Sequence, residues 1–516
     1  MPLHTPQRTV VMSHSERLSK FLPILFFTAS GFAVMGYHPG LEDDGIYLAA
    51  VKSDLNPALY PHNSLFFRLQ VQATVFDRFM ASFVRLTRMP VAWAELAWQI
   101  AALFAALWAC HSIARRLFPE PVWGKRAQWA AVAMVSAMFT LPVAGTALYL
   151  MDQHLHPRNL ATALILLAVD RVLARQPMLA VPLLTLAFVL HPIMAVMGIS
   201  FSIFLGAALS AKFRAAVGRR LCALRGAAAT AAPVAAALPL RWVFEPATPA
   251  WRQALDTRTY YYLYKWHWYE WLGALAPIAL FWLLWRWARA REEKRLAQFA
   301  LAVFAYSVFQ QAAAMAMLAP DRLVRLTPLQ PMRYLQLVYY FMALIAGGLL
   351  GRYVLKASIW RWAAFLLVAN GGMLAAQRAQ YSASQHLEWP GRTPANPWIQ
   401  AFAWIRANTP VDAYFALDPH YLEEPDEDYH EFRALAERSR LADAVKDAAA
   451  VTQVPELGGR WVRQVDAEQG WRSFRLEDFE RLKSQFGVDW VLVALPQASG
   501  LDCRWHNGSL AVCTIP

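Results

Sequence analysis

Residues 21–47 read Phe-Leu-Pro-Ile-Leu-Phe-Phe-Thr-Ala-Ser-Gly-Phe-Ala-Val-Met-Gly-Tyr-His-Pro-Gly-Leu-Glu-Asp-Asp-Gly-Ile-Tyr. The run over 21–37 is apolar and long enough to cross a bilayer as a helix, which takes about 17–25 residues. It then opens directly into three consecutive carboxylates, Glu42, Asp43 and Asp44. A basic stretch precedes it, and Thr28-Ala29-Ser30 faintly resembles a signal-peptidase site. The apolar run continues through Met35, which favours a retained anchor over a cleaved leader. Everything else follows from this pairing of a span with an acidic loop.

Across all 516 residues, 57% are apolar and 16% charged, against roughly 45–50% and 25% in ordinary soluble proteins. The net charge of +13 is uneven: residues 379–516 carry −7 and residues 1–378 carry +20. The basic part is thus the apolar part, which points to a polytopic membrane protein and away from a nucleic-acid binder. Eleven apolar segments qualify as spans, near 21–37, 91–113, 127–149, 159–175, 178–190, 192–210, 226–243, 271–288, 297–319, 334–351 and 359–378. The fifth and sixth are divided only by His191-Pro192, the mark of a broken or re-entrant hairpin. With residues 1–20 in the cytoplasm, inside connections hold 22 Lys and Arg in 77 positions and outside connections 12 in 103. This asymmetry orients the chain with its N-terminus cytoplasmic and its C-terminal part extracytoplasmic.

The organisation expected is therefore a cytoplasmic N-terminus over 1–20, a transmembrane domain over 21–378 and a soluble domain over 379–516. Within the second, residues 38–90 form an external acidic loop and an amphipathic interfacial helix over Tyr60 to Arg88. In the C-terminal part, helical spacing over Trp398 to Ala407 and Phe474 to Phe486 alternates with strands at Ala413 to Leu417 and Val488 to Leu495. Asn507-Gly508 signals a hairpin, flanked by Cys503 and Cys513, which a disulfide could join. The fold class is an all-α polytopic membrane protein with a small C-terminal α/β domain.

Chemistry-bearing residues collect on the outer side. Like charges repel in the Glu42-Asp43-Asp44 triplet beside a low-dielectric boundary, so at least one carboxyl is expected to be hard to ionise, suiting a general base or a cation site. A solvated loop with a helix N-cap at Asp43 or Asp44 is the structural alternative. The short connection Asp152-Gln153-His154-Leu155-His156-Pro157-Arg158 offers His154, His156 and Arg158 to a metal or phosphate, or simply makes an interfacial turn. His191 falls on the same side, and so do Arg322, Arg325 and Arg333, which run against the positive-inside trend and call for an anionic partner or lipid phosphates. The aromatic stretch Tyr260 to Tyr269 reads as an interface belt or a sugar platform. Glu95 is nearly the only ionisable residue inside a span and lies close to its outer end, unlike the midplane acids of proton-coupled transporters, and no nucleotide, zinc-protease or serine-hydrolase motif is present.

This layout, an acidic loop after the first span, an interfacial helix, eleven or so spans and a terminal external domain, resembles the type C integral-membrane glycosyltransferases. Trp404-Ile405-Arg406-Ala407-Asn408-Thr409-Pro410, Arg433-Ala434-Leu435-Ala436-Glu437-Arg438-Ser439 and Lys446-Asp447 are similar to external domains of uncharacterised bacterial relatives. The resemblance implies transfer of a sugar from a polyprenyl-phosphate carrier to an extracytoplasmic glycan or lipid acceptor. It implies a loop carboxylate as base or metal ligand, Asp43 before Asp44 and Glu42, with His154, His156, Arg158 and Arg333 holding the phosphate. A divalent cation on the triplet and a histidine is the cofactor alternative. A non-enzymatic transporter or scaffold for lipid-linked envelope precursors is the alternative from another class.

Overall fold

In hydrocarbon every backbone N–H and C=O must be satisfied within the chain, and a helix does this locally. The computed structural model describes residues 14–211, 244–496 and 500–516; the span expected over 226–243 lies outside them. Among the described residues six helices are long and apolar enough to cross a membrane: Val91–Leu117, Pro192–Leu209, Trp268–Ala290, Lys294–Leu318, the run Arg322–Leu355 and Ile359–Gln380. Phe21–Met35 and Pro177–Leu190 are shorter apolar helices. Expected spans also take helical form at Pro157–Leu173 and Glu120–Ala137. The first of these is short, and the second is broken at Gly124, whose φ is 73°.

Apolar side chains on several of these helices face outward. Trp360, Leu367 and Val368 are 81%, 75% and 74% exposed on Ile359–Gln380, and Leu272 and Leu283 are exposed on Trp268–Ala290. A contiguous apolar surface of this kind is the one a membrane covers. The inner helix is Tyr334–Leu350, buried along most of its length. It approaches Glu120–Ala137 through Gly347 and Gly351, where an added Cβ would come 2.4 Å from the Ala130 carbonyl oxygen and 2.6 Å from the Ala130 Cβ. Small residues are what allow two helix backbones so close.

Two expectations change. The third span ends at Ala137, and Pro142–Val143 (β1) pairs with Leu148–Tyr149 (β2) in a small antiparallel hairpin. Pro142 cannot continue a helix hydrogen-bond ladder, and Gly145 takes a positive φ of 63° at the turn. The single interfacial helix becomes two, Leu65–Val71 and Phe76–Thr87. Val75 leaves the helical ladder between them to donate its N–H to the Val189 carbonyl.

The C-terminal sheet has the order β4-β3-β5-β7-β6, with β3 Tyr414–Ala416, β4 Ser439–Arg440, β5 Trp490–Ala494, β6 Asp502–His506 and β7 Leu510–Thr514. β3 lies parallel to β4 and β5, while β5, β7 and β6 run antiparallel. Helices Pro397–Asn408 and Leu476–Phe486 match the expected stretches. Cys503 and Cys513 are bonded across β6 and β7.

The acidic loop does not stand free in solvent but joins this domain. Glu42 donates its N–H to the Tyr429 carbonyl at 2.8 Å, and Glu431 donates its own to the Gly40 carbonyl at 2.7 Å. An added Cβ on Gly45 would sit 2.3 Å from the Glu431 side chain, so this glycine is needed for the approach. Behind the contact, Arg433 donates two 2.8 Å bonds to Asp447, and Arg440 pairs with Glu431 and Asp443, all buried. Removing one partner of a buried pair strands the other, at about 3–5 kcal/mol. Arg433→Met is therefore expected to lower the thermal unfolding midpoint of the detergent-solubilised protein sharply, whereas Arg504→Met, at an exposed pair, leaves it nearly unchanged.

Candidate functional site

A cavity of about 520 Å3 opens where the acidic loop, the helix breaks and the C-terminal domain meet. Its wall includes Asp43, His156, Arg158, His191, Arg325 and Arg333. Six of the ten residues singled out from the sequence thus share one space, although they come from four separate chain segments.

Each is placed by a local device. Glu42–Gly45 is a turn of 3-10 helix that leads into the helix Tyr47–Leu55 and turns Asp43 inward. His156 caps the helix Pro157–Leu173, its Nδ1 accepting the Arg158 N–H at 2.9 Å. His191 caps Pro192–Leu209 in the same way, at a longer 3.4 Å. With Nδ1 spent as an acceptor, a neutral imidazole carries its proton on Nε2. His156 Nε2 lies 3.4 Å from Asp43 Oδ2. Both histidines thus line the cavity while capping a helix.

The triplet divides its roles. Asp43 is pushed up by burial, but the Lys446 ammonium, the His156 hydrogen bond and Arg158 outweigh this and hold it well below the usual carboxylate range. Lys446 lies 3.2 Å from both Asp43 and Glu42, so the cation beside these carboxylates belongs to the chain itself. Asp44 is the carboxyl that burial, and then the neighbouring Glu95, push well above its ordinary value. It faces away from the cavity and accepts the Gly40 N–H at 2.7 Å. The expected hard-to-ionise carboxyl exists, but it is the structural one.

The basic residues also divide. Arg158 spends its Nε and one terminal nitrogen on Asp152, at 3.0 and 2.7 Å. Arg325 pairs with Glu245 at 3.2 Å and stacks over Trp251. Arg322 is exposed and does not line the cavity. His154 is buried away from it, with both ring nitrogens unpartnered. Arg333 differs from all of these: it lines the cavity, and its guanidinium has no ion pair or hydrogen bond among the described residues.

Sequence reasoning missed Lys446, Gln330 and the segment Thr452 to Pro455, which also form the wall or hold the loop. Lys446 lies in a stretch of mixed charge and gives no local signal of its partners. Asp152, by contrast, stands six positions from Arg158 in the same short connection, so its pairing was within reach. No protein-family model matches the chain, and no curated protein matches it.

Burial and then Arg158 lower His156 to about 4 from an ordinary 6.5. The unfolded chain takes up this proton near pH 6.5 and the folded one only near 4. Stability from this group is thus complete above the higher value and is lost as pH falls through that window, by up to about 3 kcal/mol. In thermal unfolding across pH 4 to 7, His156→Gln is expected to show a flatter acid limb than wild type; parallel curves would contradict the assignment.

Proposed function

We propose that the protein is a bacterial inner-membrane glycosyltransferase of the type C architecture, moving a sugar from a polyprenyl-phosphate carrier to a glycan or lipid acceptor outside the cytoplasm. The proposal includes about eleven spans, a cytoplasmic N-terminus and an extracytoplasmic C-terminal domain, with the charge asymmetry of the connections as its support. The observation that carries the chemistry is one cavity with an ionised carboxylate, Asp43, and an arginine with no partner, Arg333, both in its wall.

Transfer breaks the bond between the anomeric carbon and the carrier phosphate, the electron pair leaving with phosphate oxygen. The acceptor hydroxyl oxygen bonds to that carbon, and its proton must go to a base. Asp43 takes this proton. Its depressed basicity suits a late proton transfer, once bond formation has already made the hydroxyl strongly acidic. Arg333, with the His191 imidazole that also lines the cavity, stabilises the charge growing on the departing phosphate, an electrostatic task for preorganised groups. Leu69, Ala73 and Ile193 give the cavity an apolar side on which an isoprenoid chain can lie.

The test is transfer by the full-length protein in proteoliposomes, using radiolabelled polyprenyl-phosphate hexoses and pentoses with envelope glycan extract as acceptor. Asp43→Asn is expected to lower the rate by about 10²–10⁴-fold, with the variant still expressed and folded. Undiminished transfer in that variant, or passage of the donor across sealed vesicles without conversion, would contradict the proposal.

A further inference from the structure

A second cluster lies apart from the cavity wall, where three chain segments cross. His38 comes from the first loop, Glu388 from just beyond the helix Ile359–Gln380, and His430 from the C-terminal domain. Both imidazoles are fully buried, at 0% exposure. His38 Nδ1 lies 2.9 Å from Glu388 Oε1, and His430 Nε2 lies 3.1 Å from each Glu388 oxygen. One donor atom from each residue falls within 4.8 Å of the other two. Around a tetrahedral zinc ion, ligands at about 2.0–2.1 Å stand about 3.3 Å from one another.

The far side of the His430 ring is held as that of a metal ligand is. His430 Nδ1 lies 3.1 Å from the Glu427 carbonyl oxygen. A histidine whose Nδ1–H is fixed on a carbonyl presents the Nε2 lone pair inward, the usual arrangement around a bound metal. Beside it, the Glu427 carboxyl is wholly buried with neither oxygen hydrogen-bonded. His386, whose ring centre is 6.4 Å from that of His38, has a buried Nδ1 that is also unpartnered.

We propose that His38, Glu388 and His430 bind one divalent transition-metal ion, zinc by the chemistry of two imidazoles and a carboxylate, which ties the C-terminal domain to the acidic loop. The ligand softness and the small number of oxygen donors disfavour calcium and magnesium. The three ligands are far apart in sequence, 350 positions between His38 and Glu388, so the ion stabilises the assembled state and not any one segment. This inference does not rest on the glycosyltransferase proposal.

The experiment uses the full chain, purified in detergent without a histidine tag, stripped with EDTA, incubated with zinc chloride and desalted. Wild type is expected to retain one equivalent of zinc and to gain thermal stability with it, whereas His38→Gln and His430→Gln retain none and gain none. X-ray absorption of zinc-loaded wild type supplies a readout that needs no variant, and two imidazole nitrogens plus oxygen are expected. Folded wild type that holds no zinc, because a proton alone bridges His430 and Glu388, would overturn the proposal. Equal zinc in the variants, or an ion without imidazole ligands, would do the same.

Discussion

The structure depends on a group of buried charges. Arg433, Arg440, Glu431, Asp443 and Asp447 are all nearly inaccessible, and charges in that setting are tolerated only when paired and hydrogen-bonded. Their mutual pairing fixes Glu431 against Gly40 and Gly45 and starts the helix Lys446–Gln453 at the right place. Lys446 then reaches Glu42 and Asp43, and Thr452 to Pro455 close one side of the cavity. The acidic loop therefore owes its conformation to contacts more than four hundred positions away, as the separation of 404 between Glu42 and Lys446 shows.

That separation explains what the sequence does and does not disclose. Apolar length alone locates the helices Val91–Leu117, Trp268–Ala290 and Ile359–Gln380, and His191-Pro192 marks a real break. The alternation of helix and strand in the C-terminal part is equally visible, because each element carries its own period. Pro142 and Gly145 signal the end of the third span, yet the apolar composition around them conceals the β1–β2 hairpin. Likewise the amphipathic pattern over residues 60–88 cannot reveal that Val75 leaves the ladder to bond Val189.

The site was legible as a set of residue types and not as a division of labour. Asp43, His156, His191 and Arg333 were expected together and share the cavity. Asp44 has the same composition and neighbourhood in sequence as Asp43, but one residue of helical turn sends it to the Gly40 N–H. Glu423 to Asp428 looks like a solvated acidic loop, yet Glu427 and Asp428 are buried beneath the junction of loop and domain. Arg158 and Arg333 are indistinguishable by type; Asp152, six positions away, occupies the first, whereas only the structure shows that the second has no such partner among the described residues.

The proposed function turns on Arg333, a cation in the cavity wall with no hydrogen bond or ion pair among the described residues, since an uncompensated arginine in a partly apolar cavity invites an anionic group. The most direct measurement is native mass spectrometry of the full-length protein with polyprenyl-phosphate sugars and phosphatidylglycerol in competition, comparing wild type with Arg333→Ala. The account predicts that wild type retains the phosphorylated polyprenyl lipid in preference and that Arg333→Ala loses this preference while staying folded. Equal retention of phosphatidylglycerol, with no change in the arginine variant, would contradict it.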